Sequence, residues 1–103
     1  MALSPARDAG AALRSAAAVG DLATIDALLK AGVDLEARNS SGQTALMLAA
    51  HGGHIAVVHA LSAAGADIDG RDARNWSALM IAAQEGRLRV VQALAHAAAG
   101  RAG

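Results

Sequence analysis

Histidine is the side chain here best suited to chemistry at neutral pH, and three of the four histidines, His51, His54 and His59, lie close together. Imidazole is a good ligand for zinc and related ions, which take four ligands drawn from Cys, His and carboxylates. The spacing argues against such a site. Gly52-Gly53 separates His51 from His54, His59 follows a helical turn later, and no cysteine or carboxylate stands near them in sequence. Asp67, Asp69 and Asp72 surround Gly70, but their order does not give the alternating acids, glycine and distant Glu of a calcium loop. Asp34-Leu35-Glu36 places acids in the same register earlier in the chain, so these carboxylates read as features of a recurring solvated loop. Ser40, Ser41, Ser62 and Ser77 lie outside any Gly-x-Ser-x-Gly elbow, and no Ser, His and acid pattern is evident. Gly52-Gly53 and Gly65 fall where helices must end, and no phosphate-cradling loop is present. No catalytic residue, metal, cofactor or small-molecule substrate is therefore assigned.

The elements that position these residues must be built from an unusual composition. The chain has 103 residues, zero formal net charge and 54% hydrophobic residues, which suits one folded unit. Trp76 is its only aromatic residue, and roughly three residues in ten are alanine, far above ordinary usage. Such a core must be thin, with helices brought close across alanine contacts. The absence of cysteine excludes disulfides and thiolate chemistry. No apolar run approaches the ~20 residues of a membrane span, and Met1 to Asp21 carries charges where a signal peptide needs apolar residues, so a cytoplasmic location is expected. The alanine and arginine bias resembles that of proteins from GC-rich bacterial genomes. Charge is uneven: residues 1 to 36 hold three basic and five acidic side chains, residues 73 to 103 four and one. That asymmetry fits an acidic partner near the C-terminal part, or head-to-tail contact between copies.

The organising feature is a repeat. With Gly42 to Ala66 laid over Asn75 to Ala99, a shift of 33, about half the paired positions are identical. Thr44-Ala45-Leu46-Met47 matches Ser77-Ala78-Leu79-Met80, Ala49-Ala50 matches Ala82-Ala83, and Val57-Val58 matches Val90-Val91. The opposite shift finds a weaker copy through Leu13, Ala16-Ala17, Gly20, Ile25, Leu28 and Gly32. Within a unit, Thr44 or Ser77 is placed to cap a short first helix, and Gly53 or Gly86 interrupts it after about two turns. Ile55, Val58 and Leu61, like Leu88, Val91 and Leu94, then line one face of a second helix. Gly65 ends that helix, and an extended loop follows. Asn75 stands where the preceding unit has Gly42; asparagine also tolerates positive φ, so the same turn is expected.

These units resemble ankyrin repeats, whose Gly turn, Thr-Pro-Leu-His, Ala-Ala, Gly-His, Val-Val, Leu-Leu and Gly-Ala-Asp pattern recurs every 33 residues. The middle unit fits best, through Gly42, Thr44, Leu46, Ala49-Ala50, Gly53-His54, Val57-Val58 and Gly65-Ala66-Asp67, with Ala45 and Met47 in place of the family's Pro and His. The resemblance implies an all-α solenoid of three stacked helix-turn-helix units with extended, hairpin-like loop tips. A leader over residues 1–7 would precede an N-terminal capping repeat at 8–39, an internal repeat at 40–72 and a C-terminal repeat at 73–103. His54 falls where the pattern itself has a histidine, which predicts a local hydrogen bond in the turn.

The family's usual binding surface is formed by the loop tips and the exposed side of the first helices. Carried onto this sequence, it selects Arg38, Ser40, Ser41, Gln43 and His51, then Arg71, Arg74, Trp76, Gln84 and Glu85, as a strip that binds a protein partner. Trp76 takes the place of Gln43 and is expected to be substantially exposed beside Arg71 and Arg74, a favoured pairing of anchor types; the alternative is a cap packed over Met80 or Met47. Ser15, Asp21 and Asp26 make the first unit polar, whereas the last keeps Leu88 and Val91 and ends in Ala97 to Ala99. The second reading is therefore a structural or regulatory subunit that docks or forms a homo-oligomer through that end. Arg71, Arg74, Arg87 and Arg89 raise nucleic acid as a third, but overall charge is zero and no aromatic platform accompanies Trp76.

Overall fold

The computed structural model describes residues 5–102 and contains six helices among them: α1 (Pro5–Val19), α2 (Leu22–Lys30), α3 (Ala45–Gly52), α4 (Ile55–Ala63), α5 (Ala78–Gln84) and α6 (Leu88–Ala102). Of the expected leader, residues 1–4 lie outside the described part, and α1 begins at Pro5.

The first helices of the second and third units, α3 and α5, start where the sequence supplies a cap. The Thr44 hydroxyl accepts a hydrogen bond from the Met47 N–H at 3.4 Å, and the Ser77 hydroxyl accepts from Met80 N–H at 3.2 Å. Such bonds satisfy amide groups that have no partner inside the helix. Met47, standing where the family has histidine, completes the exchange: its sulfur accepts from the Thr44 N–H at 3.5 Å. At the other end of α3, Gly53 adopts the left-handed conformation and the His54 N–H returns to the Ala49 carbonyl. The chain thereby reverses within two residues and enters α4.

The three helix pairs stack with α1, α3 and α5 in one row and α2, α4 and α6 in a second. Between them runs a thin core of Leu13, Ile25, Leu46, Met47, Val57, Val58, Leu61, Ile81, Val90 and Leu94. Buried Ala16, Ala17, Ala49, Ala50 and Ala82 hold the rows close together, as the composition requires. At small residues the backbones can approach, so dispersion contacts compensate for the modest apolar area of each side chain.

Between pairs, the chain makes two narrow hairpins, 39–43 and 72–76. The Asn39 N–H donates to the Gln43 carbonyl at 3.0 Å and the Asp72 N–H to the Trp76 carbonyl at 2.9 Å. Among the described residues the first unit has no such tip; the counterpart positions 6–10 lie within α1. Its Gly10 lies so near the following loop that a Cβ there would stand 2.8 Å from that of Ala37.

Candidate functional site

The side chains proposed for the strip divide into two groups at opposite ends of α3 and α5, about 10–12 Å apart at 1.5 Å of rise per residue. One group surrounds the hairpin tips. There Asn39 Oδ1 accepts from the N–H groups of Ser41 and Gln43, both at 2.9 Å. Asp72 Oδ1 does the same for Arg74 at 2.8 Å and Trp76 at 2.9 Å. An acceptor two residues before the turn therefore fixes each loop from within.

Asp72 is thus not one of the solvated loop acids with which its place beside Asp67 and Asp69 grouped it. It is buried, and its second oxygen lies 3.6 Å from an Arg74 guanidinium nitrogen. The Trp76 N–H, then those of Arg74 and its positive charge, hold the Asp72 carboxyl below its ordinary pKa, overcoming the opposing effect of desolvation. Asn39 performs the same task without charge, and sequence reading passed over it altogether. The signal was present in the shift of 33 that superimposes Asn39 on Asp72.

Trp76 is half-buried and packs against the core, less open than the sequence suggested. Its ring keeps one partner from the predicted set: the Arg74 guanidinium lies 5.5 Å from the ring centroid, within cation–π range. Beside this pair a recess of about 510 Å³ is lined by Ser40, Ser41, Gln43, Ala73 and Arg74, drawn from both tips. Arg38 and Arg71 have further duties in the scaffold. One Arg38 nitrogen donates to the carbonyls of Gly42 at 2.6 Å and Arg71 at 2.5 Å, and Arg71 donates to the Asn75 carbonyl at 3.1 Å.

The second group holds His51, Gln84 and Glu85, all exposed. His51 Nε2 lies 3.7 Å from Glu85 Oε2, an ion pair whenever the imidazole is protonated. His54 does not make the local turn bond expected of it. Its Nε2–H instead reaches back to the first unit and meets the Ala18 carbonyl at 3.1 Å, so it joins repeats. No group of three or more His, Asp or Glu side chains among the described residues is placed to hold a metal ion. No helix among them is long and apolar enough to cross a membrane.

At the C-terminal end, Leu88 is 72% exposed and Val91 half-buried. Comparison with curated proteins gives no match. The family model of ankyrin repeats, in three copies, matches residues 13–101.

Proposed function

The chain belongs to the ankyrin repeat family, whose members are generally protein–protein interaction modules and typically non-enzymatic, and from that premise we propose that it binds a folded protein partner through the hairpin tips. The observation that carries this reading is the Arg74–Trp76 pair beside the recess between the tips. An indole and a guanidinium already stacked lose little side-chain freedom on binding, and both types are favoured anchors. Ser40, Ser41 and Gln43 supply hydrogen-bonding groups around them. His51, Gln84 and Glu85 extend the contact to the far ends of the first helices, with Arg38 and Arg71 setting the tips in place.

The test is a pull-down from host lysate with wild type and Trp76→Ala, both checked for folding by circular dichroism. A partner retained by wild type should be lost or weakened at least about thirtyfold, ~2 kcal/mol, by the substitution. Equal retention by both variants would remove Trp76 from the interface.

The exposure of Leu79, Met80 and Leu88 favours a second reading, in which Leu88 and Val91 belong to an interface at the end of the stack. Leu88→Glu separates the two, because it should leave capture through the tips intact.

A further inference from the structure

The junction between successive units is built twice from the same parts, and the third unit carries a further set. At the first junction, the His54 Nε2–H, from the residue before α4, meets the Ala18 carbonyl at 3.1 Å. The imidazole lies over Gly20, where an added Cβ would stand 2.6 Å from its Nδ1. At the second, Arg87 precedes α6, and its Nε–H donates to the His51 carbonyl at 3.1 Å. Its stem lies over Gly53, where a Cβ would stand 2.7 Å from Cδ. The same shift of 33 leads from Ala18 and His51 to Gln84, and from Gly20 and Gly53 to Gly86. Gly86 has the φ of its counterparts, 71° against 76° and 72°, yet an added Cβ there would meet nothing within 4 Å.

The apolar surface around this socket is also the unmatched copy of a covered one. Leu46 and Met47 are each 2% exposed, whereas Leu79 and Met80, their counterparts, are 38% and 42% exposed. Ala50 is buried and Ala83 exposed. Arg38 ties its own tip to the next one; Arg71 ties its own tip alone, and its other contact is the Met80 sulfur at 3.8 Å. A recess of about 200 Å³ runs between Arg71, Leu79, Met80 and Leu94.

We propose that this end of the stack docks an ankyrin-type unit of another polypeptide, one with a hydrogen-bond donor such as arginine or histidine at the residue before its second helix. The proposal rests on the second reading above, that the end is an interface, and extends the two junctions already present by one more step. Two features choose the occupant. Ala98 stands where Gly65 ended α4, and α6 runs on to Ala102, so the chain leaves the third unit as helix and not by the loop that feeds a following tip. Head-to-tail addition of a second copy of this chain is excluded by Asp21, which occupies the donor position of the first unit. Its carboxylate accepts from the Thr24 hydroxyl at 2.6 Å and N–H at 3.2 Å, and those bonds hold its pKa below the ordinary value. Head-to-tail stacking would turn this anion toward the Gln84 carbonyl, acceptor against acceptor.

The probe is this chain carrying Asp21→Arg, which supplies the donor, and Leu88→Glu, which blocks its own open end. Because Asp21 also caps α2, Asp21→His is made in parallel on the same background, and each must keep wild-type circular dichroism. Titration into wild-type chain, followed by calorimetry and sedimentation, should give a one-to-one complex with amide shifts centred on Gly86 and Leu88. Leu88→Glu in the receiving chain should weaken it at least about tenfold. Wild type alone should remain monomeric at the same concentrations. No complex with either probe at about 100 µM overturns the proposal. A complex indifferent to Leu88→Glu in the receiver overturns the reading that this end is an interface. One sensitive to Leu88→Glu but equally strong when residue 21 of the probe is Asp overturns only the donor-bearing occupant.

Discussion

The hairpins at 39–43 and 72–76 have the same backbone plan, yet one is an inner layer of the stack and the other its last. The second hairpin lies against the first: the Ala73 N–H donates to the Ser41 carbonyl at 3.0 Å, and Arg38 bridges to the Arg71 carbonyl. Both turns contain a residue at positive φ, Gly42 at 74° and Asn75 at 66°. Conformation alone would allow asparagine at either. At Gly42, however, an added Cβ would stand 2.8 Å from the Ala73 backbone nitrogen, whereas Asn75 is exposed. Coverage by the next unit, and not the turn itself, therefore decides which residue the position accepts.

That distinction is open to direct attack. The largest effect is expected from Gly42→Asn, which keeps a tolerated φ but drives a side chain into the neighbouring hairpin. It should destabilise the fold by about 1–3 kcal/mol in urea unfolding. A loss no greater than that of Asn75→Gly would mean that coverage by the next hairpin does not decide the residue at 42.

A smaller effect separates the two anchors, Asp72 and Asn39. A carboxyl whose pKa is lowered by folding leaves the unfolded chain binding more protons, so its stabilisation is present above the unfolded pKa, 3.8, and is lost as pH falls through the folded value. Asp72→Asn should keep the hairpin, because Asn39 makes the same two bonds with an amide oxygen. It should also lose less stability than wild type when unfolding is measured from about pH 4 downward. Asp21, also held low, titrates in both proteins and cancels from the comparison. Identical acid profiles would remove Asp72 from the account. The smallest change belongs to Asn75→Gly, expected to shift unfolding free energy by no more than about 0.5 kcal/mol, since glycine suits the turn but adds freedom to the unfolded chain.

Much of this architecture was legible because stacking imposes periodic demands. Thr44 and Ser77 as caps, Gly53 as an interruption, and Val58 and Leu61 as core all follow from residue type and spacing. What escaped was interaction between units, for which a single repeat carries no local pattern. His54 looked like a turn residue because its acceptor, the Ala18 carbonyl, lies 36 positions away. Asp72 looked solvated because its partners are main-chain N–H groups, which residue identity does not mark. The exposure of Trp76 was overestimated for a related reason: periodicity places a residue at a tip but does not say how far a large ring folds back onto the core.

The donors at the junctions reach for carbonyls, and this frees the residues that own them. Ala18 and His51 accept through the main chain while their side chains are exposed, and Gln84 occupies the same register. Side chain and backbone of one residue thus answer to different constraints. Since any amino acid offers the same carbonyl, the outward group at 18 or 51 can be exchanged for size, charge or polarity without touching the bond that builds the solenoid. The solenoid's joints are written in a chemistry common to all residues, which leaves the surface above them open to be rewritten for a new partner.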